Sequence, residues 1–405
     1  VRRLNRHHRL PLRRGSIVPL VAFALVAVLG ALALVVDRLW IDAARVELRR
    51  AAESAALAGA RALADDDRLK SSVTPEALAE GAAWSAVMMA RTNRVAGRPL
   101  ELLFEEDVAV GQYATSETTG ETRFLSDTAD PRTVVVRPML LRSRNNPVAL
   151  LITALHGPTV AELSFRVEAS VDNQVYGVRP LLDTRVPVLP LAILRQETTD
   201  EQRPNWQADI VQRGGGDRAG YDLGTRLPTT EADGIPEIEL RPQPGDVNGP
   251  DTSRGDEANV AIVNFRTNLS SELVVDQIRN GLSAAHLDDF GGWLIPDNTP
   301  LTTRARFRLS ATELDALSKL QSQARLVLLY TELSSGQTSD GPRVRCDGLV
   351  AGRFLKTTSD LSGQPARLIF QPSVVATRTA LMADEAHPVV NPNPHLYHLS
   401  LTAPR

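Results

Sequence analysis

Hydrophobic and polar positions change period several times along this chain, and the first change is the sharpest. The twenty residues Ile17–Val36 carry no charge, a run long enough to cross a ~30 Å hydrocarbon core as one helix. Asp37 ends the run, and an amphipathic pattern replaces it. Between Asp37 and Ala64 there is no proline, the only glycine is Gly59, and alanines dominate the second half. Alanine has the highest helix propensity, so the helix is predicted to continue unbroken to Ala64, over roughly 70 Å at 1.5 Å per residue. Ile41, Ala44, Leu48, Ala52, Ala55, Gly59 and Leu63 recur at helical spacing, with Asp42, Arg45, Arg49, Glu53 and Arg61 mostly off that stripe. Arg49 and Glu53 form an i,i+4 charge pair, in the less favourable order. The small residues of Leu48, Ala52, Ala55 and Gly59 let another backbone come close. They predict a helix-packing face, occupied either by another protein or by the chain's own globular part.

Asp65, Asp66 and Asp67 break the helix, and Thr74-Pro75-Glu76 restarts one, proline being tolerated at the first helical position. Leu78, Ala82, Ala86 and Met89 keep helical spacing until Gly97 and Pro99. Strand patterning follows. Val108–Thr115 and Arg123–Leu125 flank a turn at Thr118, Thr119 and Gly120 and predict a hairpin. Val134–Val136 and Val148–Leu155 are short apolar runs. Ala161–Val171 alternates apolar and polar residues throughout, the period of a half-buried strand. Val186–Leu191, with Pro187 and Pro190, predicts an extended edge or linker. Residues 196–258 are rich in glycine and proline and read as an acidic, irregular linker.

Beyond it, Val260–Phe265 predicts a strand, Ser271–Asn280 a helix closed by Gly281, and Ser283–Asp289 another brief helix. Arg304, Arg306 and Arg308 alternate with Ala305, Phe307 and Leu309, again a half-buried strand. Ser310 and Glu313 form a capping-box signal for a helix reaching about Gln323. Leu326–Tyr330, Arg343–Cys346 and Arg367–Phe370 complete a small sheet, and the Asn-Pro-rich tail after Ser373 reads as loop. The expected class is α+β: a transmembrane helix extended as a long Ala-rich helix, then two mainly β extracytoplasmic domains with short helices. Its expected divisions are a basic cytoplasmic tail (1–16), the span (17–36), a helical stalk (37–98), a mainly β domain (100–195), the linker (196–258), an α+β domain (259–373) and a C-terminal tail (374–405).

Charge orients this arrangement. Arg2, Arg3, Arg6, Arg9, Arg13 and Arg14 precede the span with no acidic residue among them, which by the positive-inside tendency holds that end in the cytoplasm and sends the rest across. A secretory signal peptide shares the basic start, but its apolar run is about 7–15 residues and ends at a small-residue cleavage site. Here the run is longer and passes straight into Asp37-Arg38-Leu39-Trp40, which predicts a retained anchor. The net charge of −3 includes those arginines, so the remainder is acidic, opposite to the basic face that nucleic acid requires. Cys346 is the sole cysteine, which excludes an intrachain disulfide and a cysteine metal cluster.

The segment from Arg13 to Ala64 resembles the N-terminal part of the tight-adherence (Tad, or Flp) pilus-assembly proteins, the TadE/TadG-like group, and within it a TadG-like protein. The resemblance rests on the Arg13-Arg14-Gly15 entry, Pro19 early in the span, the Val36-Asp37 exit and the tail Ala51–Ala60. It implies an envelope-anchored accessory of an adhesive pilus system in the bacterial inner membrane. Its implied partners are other pilus-assembly or envelope proteins. Two departures restrict it. Pilin-like members cut by a prepilin peptidase carry Glu five residues after the cleavage-point Gly; counted from Gly15 that position is Leu20, so no trimming is expected. The Asp-x-Ser-x-Ser motif of von Willebrand A-type members has its nearest approach at Asp251-Thr252-Ser253-Arg254-Gly255, where the last serine is missing.

Candidate chemistry is sparse. His387, His395 and His398 with Asp384 have metal-ligand residue types but lie in the Pro-rich tail, which predicts solvation. Ser283, His286 and Asp288 have triad residue types without a nucleophile elbow, so Ser283 is expected to cap a helix. Gly214–Gly216 lacks the Lys-Ser/Thr pair of a phosphate loop and reads as linker. Asp246, Asn248 and Pro250 break a calcium-loop pattern, and Arg254-Gly255-Asp256 is too short a motif to carry an argument. The arginine row 304, 306, 308 reads as a solvated strand face. No catalytic, cofactor-binding or metal-binding residue is therefore assigned. Two classes of function stand: a non-enzymatic assembly component acting through protein contacts, and an envelope hydrolase or solute-binding protein with a site of dispersed residues.

Overall fold

The computed structural model describes residues 17–402, apart from 117–119, 127, 153–158, 197–202, 244–257, 266–269, 296–299, 321–322, 335–340 and 359–365. The basic segment with Gly15, the turn residues Thr118 and Thr119, the calcium-like Asp246, Asn248 and Pro250, and the motifs within 251–256 lie outside the described residues.

Helix α1 runs without interruption from Ile17 to Leu63. Residues 17–29 of α1 are exposed throughout, with Phe23 at 77% and Leu20 at 74%. Its second half is covered, because α2 (Pro75–Thr92) folds back along it after a short 3₁₀ turn at Asp66–Leu69. Thr74 caps α2, its hydroxyl accepting from Ala77 N–H at 3.3 Å, and Pro75 fills the first helical position, as the pattern predicted.

The larger sheets are built from β1 (Val108–Thr115), β2 (Thr122–Leu125), β3 (Thr133–Val136), β4 (Val167–Asp172), β5 (Val188–Leu194), β6 (Ile238–Leu240), β7 (Val260–Val263), β8 (Leu301–Arg306), β9 (Arg325–Ser334), β10 (Arg343–Thr358), β11 (Arg367–Pro372), β12 (Val375–Ala376) and β13 (Leu396–Thr402). The first sheet has the order β12-β13-β4-β3-β1-β2, antiparallel except for β12 with β13. One face carries Val134, Val136, Ala169 and Val171 into a core shared with Ala52, Ala55 and Leu63 of α1 and Ala82 and Ala86 of α2. Two helices on one sheet thus form the layer next to the apolar run.

The second sheet closes on itself. β10 pairs with both β8 and β9, so β8-β7-β5-β9-β10 make a ring of five strands, extended along the far half of β10 by β11 and β6. Val188, Ala192 and Leu194 of β5 enter one core and Leu189, Leu191 and Ile193 another, the latter shared with α3 (Ser271–Asn280) and α4 (Ala311–Ser318). Burial on both faces explains why β5 reads as continuous apolar sequence rather than alternation.

Several local expectations change here. The prolines around Val186–Leu191 pointed to an edge or linker, yet β5 is fully buried between β7 and β9. Pro190 fits because the β5–β9 register shifts between Val188 and Ala192, and a bulge spares its missing N–H. The single strand Ala161–Val171 is instead three pieces, because Leu163–Ser164 pairs with Met139–Leu140 before β4 joins the main sheet. Part of the 196–258 linker is ordered, including buried Trp206, the hairpin Gly220–Asp222/Leu227–Thr229 and β6. The C-terminal tail returns as β13 against β4, with Ser170 opposite Ser400. That pairing joins segments over two hundred residues apart and leaves no local signature. Gly281 closes α3 at φ +78°, and Ser310 and Glu313 form the expected capping box, although α4 stops at Ser318.

Candidate functional site

The apolar run of α1 and its exit come first. Asp37, at the end of the apolar run, is buried, and its Oδ1 accepts from the backbone N–H of Leu151 (2.8 Å) and Ile152 (3.1 Å). One turn on, Trp40 Nε1 donates to the Ala149 carbonyl at 3.0 Å. A buried carboxylate is costly unless hydrogen-bonded, and here the loop's own backbone supplies the donors. Helix and loop are therefore locked together where the chain leaves the span.

Leu48, Ala52, Ala55 and Gly59 lie on the covered face of α1, all buried. A Cβ built on Gly59 would stand 2.9 Å from the Ala82 carbonyl oxygen of α2 and 3.0 Å from Val134 Cγ1 of β3. In the structure the stripe is occupied by the chain's own α2 and first sheet. Arg45 and Arg49 lie outside it, paired with Asp42 and Glu53 at 2.8 Å each.

Where α1 ends, a buried polar knot ties the two sheet systems. Asp66 Oδ1 accepts from Ser373 Oγ and Val374 N–H, both at 2.7 Å. Arg353 on β10 donates to Asp66 Oδ2 and, at 2.6 Å, to Ser373 Oγ, while its guanidinium carbon lies 3.7 Å from the Tyr221 ring centre. Beside the knot, Arg68 donates to Asp130 at 2.6 Å and lies over the Tyr397 ring. His395 is buried edge-on to Trp206, 5.4 Å between ring centres. Burial pushes the His395 pKa down to about 4, against smaller opposing effects of the Ser373 backbone and Asp66. The sequence reading missed this cluster. Its one local signal is the acidic Asp65-Asp66-Asp67 run that ends the helix; the partners lie some three hundred positions downstream.

The remaining candidates separate. His395 is not solvated, contrary to expectation: just ahead of β13, it is buried against Trp206, and its carbonyl accepts from Val375 N–H at 2.9 Å. His387 stacks on Tyr176 at 4.6 Å and pairs with Asp384, and His398 sits on β13 opposite Asp172. Among the described residues no group of three or more His, Cys, Asp or Glu is placed to hold a metal ion. Ser283 begins a 3₁₀ turn, and its backbone N–H donates to His286 Nδ1 at 3.2 Å. Arg306 does not sit on a solvated face: it makes two hydrogen bonds to buried Glu313, at 2.8 and 3.0 Å, tying β8 to α4. Gly214–Gly216 forms an ordered turn, Gly215 N–H donating to the Asp209 carbonyl at 3.0 Å. It lines a cleft of about 620 Å³ with Asp209, Arg218, Glu237 and Lys356. Burial raises the pKa of Asp209 and Glu237 there. A second groove, about 910 Å³, lies between α1, α2 and Tyr221–Arg226, with Met88, Met89 and Leu223 on its wall.

The arrangement defines a class: an α+β protein on one long N-terminal apolar helix, whose buried polar side chains join its own elements to one another. The family model described as Tad, putative Flp pilus-assembly TadE/G-like, matches residues 15–62. The matched segment contains the apolar span, the Asp37 exit and the stripe to Gly59, and it supports a pilus-related role. Comparison with curated proteins and with solved structures returned no match.

Proposed function

We propose that the chain is a non-enzymatic, extracytoplasmic component of a Tad/Flp-type pilus assembly or secretion system, held in the bacterial inner membrane by α1 and acting through contacts with other envelope proteins. The observation that carries this reading is the coincidence of the family match with the one bare apolar stretch of α1. A twenty-residue uncharged run fits one bilayer crossing, and the arginines before it favour a cytoplasmic N-terminus. Beyond the span, charged side chains are used to hold β8 to α4 and the turn after α1 to β10.

Two experiments test it. Compartment-specific reporters fused ahead of Ile17 and after Thr402 should report cytoplasmic and extracytoplasmic locations respectively; two cytoplasmic signals would reject the topology. Mild-detergent isolation of the tagged full-length chain should bring down pilus-assembly or envelope proteins, and deletion of its gene should reduce piliation. An isolated chain and normal pili would reject the assembly role.

A further inference from the structure

Burial along α1 does not stop at the end of the apolar run. Ala33, one helical turn inside it, is 3% exposed, whereas its neighbours Leu32, Leu34 and Val35 are each more than half exposed. Ala24, Ala27 and Ala31, of the same residue type in the same run, are exposed. Small size alone therefore does not account for the burial of Ala33. Ala33 and Asp37 lie one above the other at i,i+4. The loop fixed to Asp37 and Trp40 runs from Ala149 to Ile152, and within it Leu151 is 58% exposed although its backbone N–H lies 2.8 Å from Asp37.

These positions set a depth. A run of twenty residues spans the hydrocarbon thickness with little to spare, so Asp37 stands at the headgroup boundary and Ala33 about 6 Å below it, at 1.5 Å per residue. Leu151 is held at the level of Asp37 by two adjacent backbone hydrogen bonds and cannot be withdrawn without breaking them. Trp40 belongs to the residue type enriched at that boundary, and its indole N–H is satisfied by the same loop.

We propose that the loop Ala149–Ile152 is a second membrane contact, with Leu151 seated in the interface of the leaflet facing the globular part. The occupant of this exposed apolar spot is the bilayer that holds α1, since Leu151 stands at the level of Asp37, directly beyond the exposed Leu32, Leu34 and Val35 of the apolar run. The inference rests on reading residues 17–36 as the anchor. The first sheet then sits on the membrane at a fixed angle, and Asp37 is the clamp that fixes it.

The test uses the full-length chain in nanodiscs of phosphatidylethanolamine and phosphatidylglycerol. Leu151→Cys, Val28→Cys in the span and Val390→Cys, 88% exposed, are each labelled with an environment-sensitive fluorophore. Cys346 is buried and its thiol is pushed up to about 12, so labelling goes to the introduced site. The label at 151 should be blue-shifted and quenched at least twofold by lipids carrying a shallow nitroxide, and the label at 390 should not. Adding Asp37→Ala to Leu151→Cys should reduce that quenching. A label at 151 that matches the one at 390, or a blue shift without lipid quenching, which signals a protein neighbour, overturns the proposal. If the label at 28 escapes quenching by lipids carrying a nitroxide deep in the acyl chain, the anchor reading itself fails; if 28 is quenched by that deep probe and 151 is not quenched by the shallow one, only this inference fails.

Discussion

Asp66 and Arg353 stand 287 positions apart in sequence and form an ion pair with both side chains less than a tenth exposed. The first follows the last turn of α1, and the second lies on β10 where the ring of strands passes into its extension. Ser373 bridges them by donating to Asp66 and accepting from Arg353, so each charge gains hydrogen bonds as well as a counter-charge. This pair joins the anchored layer to the distal strands.

Breaking that pair from one side leaves the other charge buried without compensation, a loss of about 3–5 kcal/mol. Arg353→Met and Asp66→Leu should each lower the urea midpoint of the detergent-solubilised protein strongly. The double variant should recover much of the loss, because two apolar side chains need no partner. Parental midpoints for the single variants, or a double variant whose loss is the sum of the two single losses, would show that the two side chains are not coupled.

His395 gives a pH dependence of defined sign. Its folded pKa of about 4 lies below the ordinary histidine value of 6.5, so between those pH values the unfolded chain binds more protons than the folded one. Stability therefore rises with pH across pH 4–6.5, by at most about 1.4 kcal/mol per unit from this group, and is fully present above that window. His395→Gln should flatten the dependence of the unfolding midpoint between pH 4 and 6.5. An unchanged slope would refute the assignment.

The stripe on α1 predicts an overpacking series. Ala52→Leu and Ala55→Leu insert methylenes where the parent residues have no exposed surface, and should each cost about 1–3 kcal/mol. Gly59→Leu should cost more, since even a Cβ there presses on the Ala82 carbonyl. Arg45→Leu on the outer face should be nearly silent. Trypsin half-lives of the four membrane-bound variants give the ranking; an Ala55→Leu half-life equal to that of Arg45→Leu would contradict it.

Processing is a separate expectation. Leu20 stands where a prepilin peptidase substrate carries Glu, so the N-terminal sequence of the purified protein should continue through Gly15 and Ser16. A mature chain beginning at Ser16 would reverse this and move the protein toward a filament subunit.

Elements whose signal is local were legible in the residues. The uncharged run, the proline-free alanine helix, Thr74 with Pro75, Ser310 with Glu313 and Gly281 each depend on contacts within a turn or two, and each stands where the pattern put it. Glu168 shows where pattern reading stops. Alternation placed it on a solvated face, but Tyr113 Oη donates to it at 2.7 Å and Arg166 pairs with it, so it is wholly buried. Those two side chains pack on Glu168, and periodicity along one strand carries no information about them.

By itself, the sequence determined that a helix of some 70 Å leaves a membrane-spanning length bare and then presents a small-residue face, because helix propensity, charge and spacing act within a few residues. Tertiary structure decided what fills that face, that β5 lies inside a closed ring despite Pro190, that β13 returns to β4, and that Asp66 meets Arg353. Each of these depends on bringing distant segments together. The favourable energy comes from pairings and burial between those segments, and no local pattern encodes which partner will arrive.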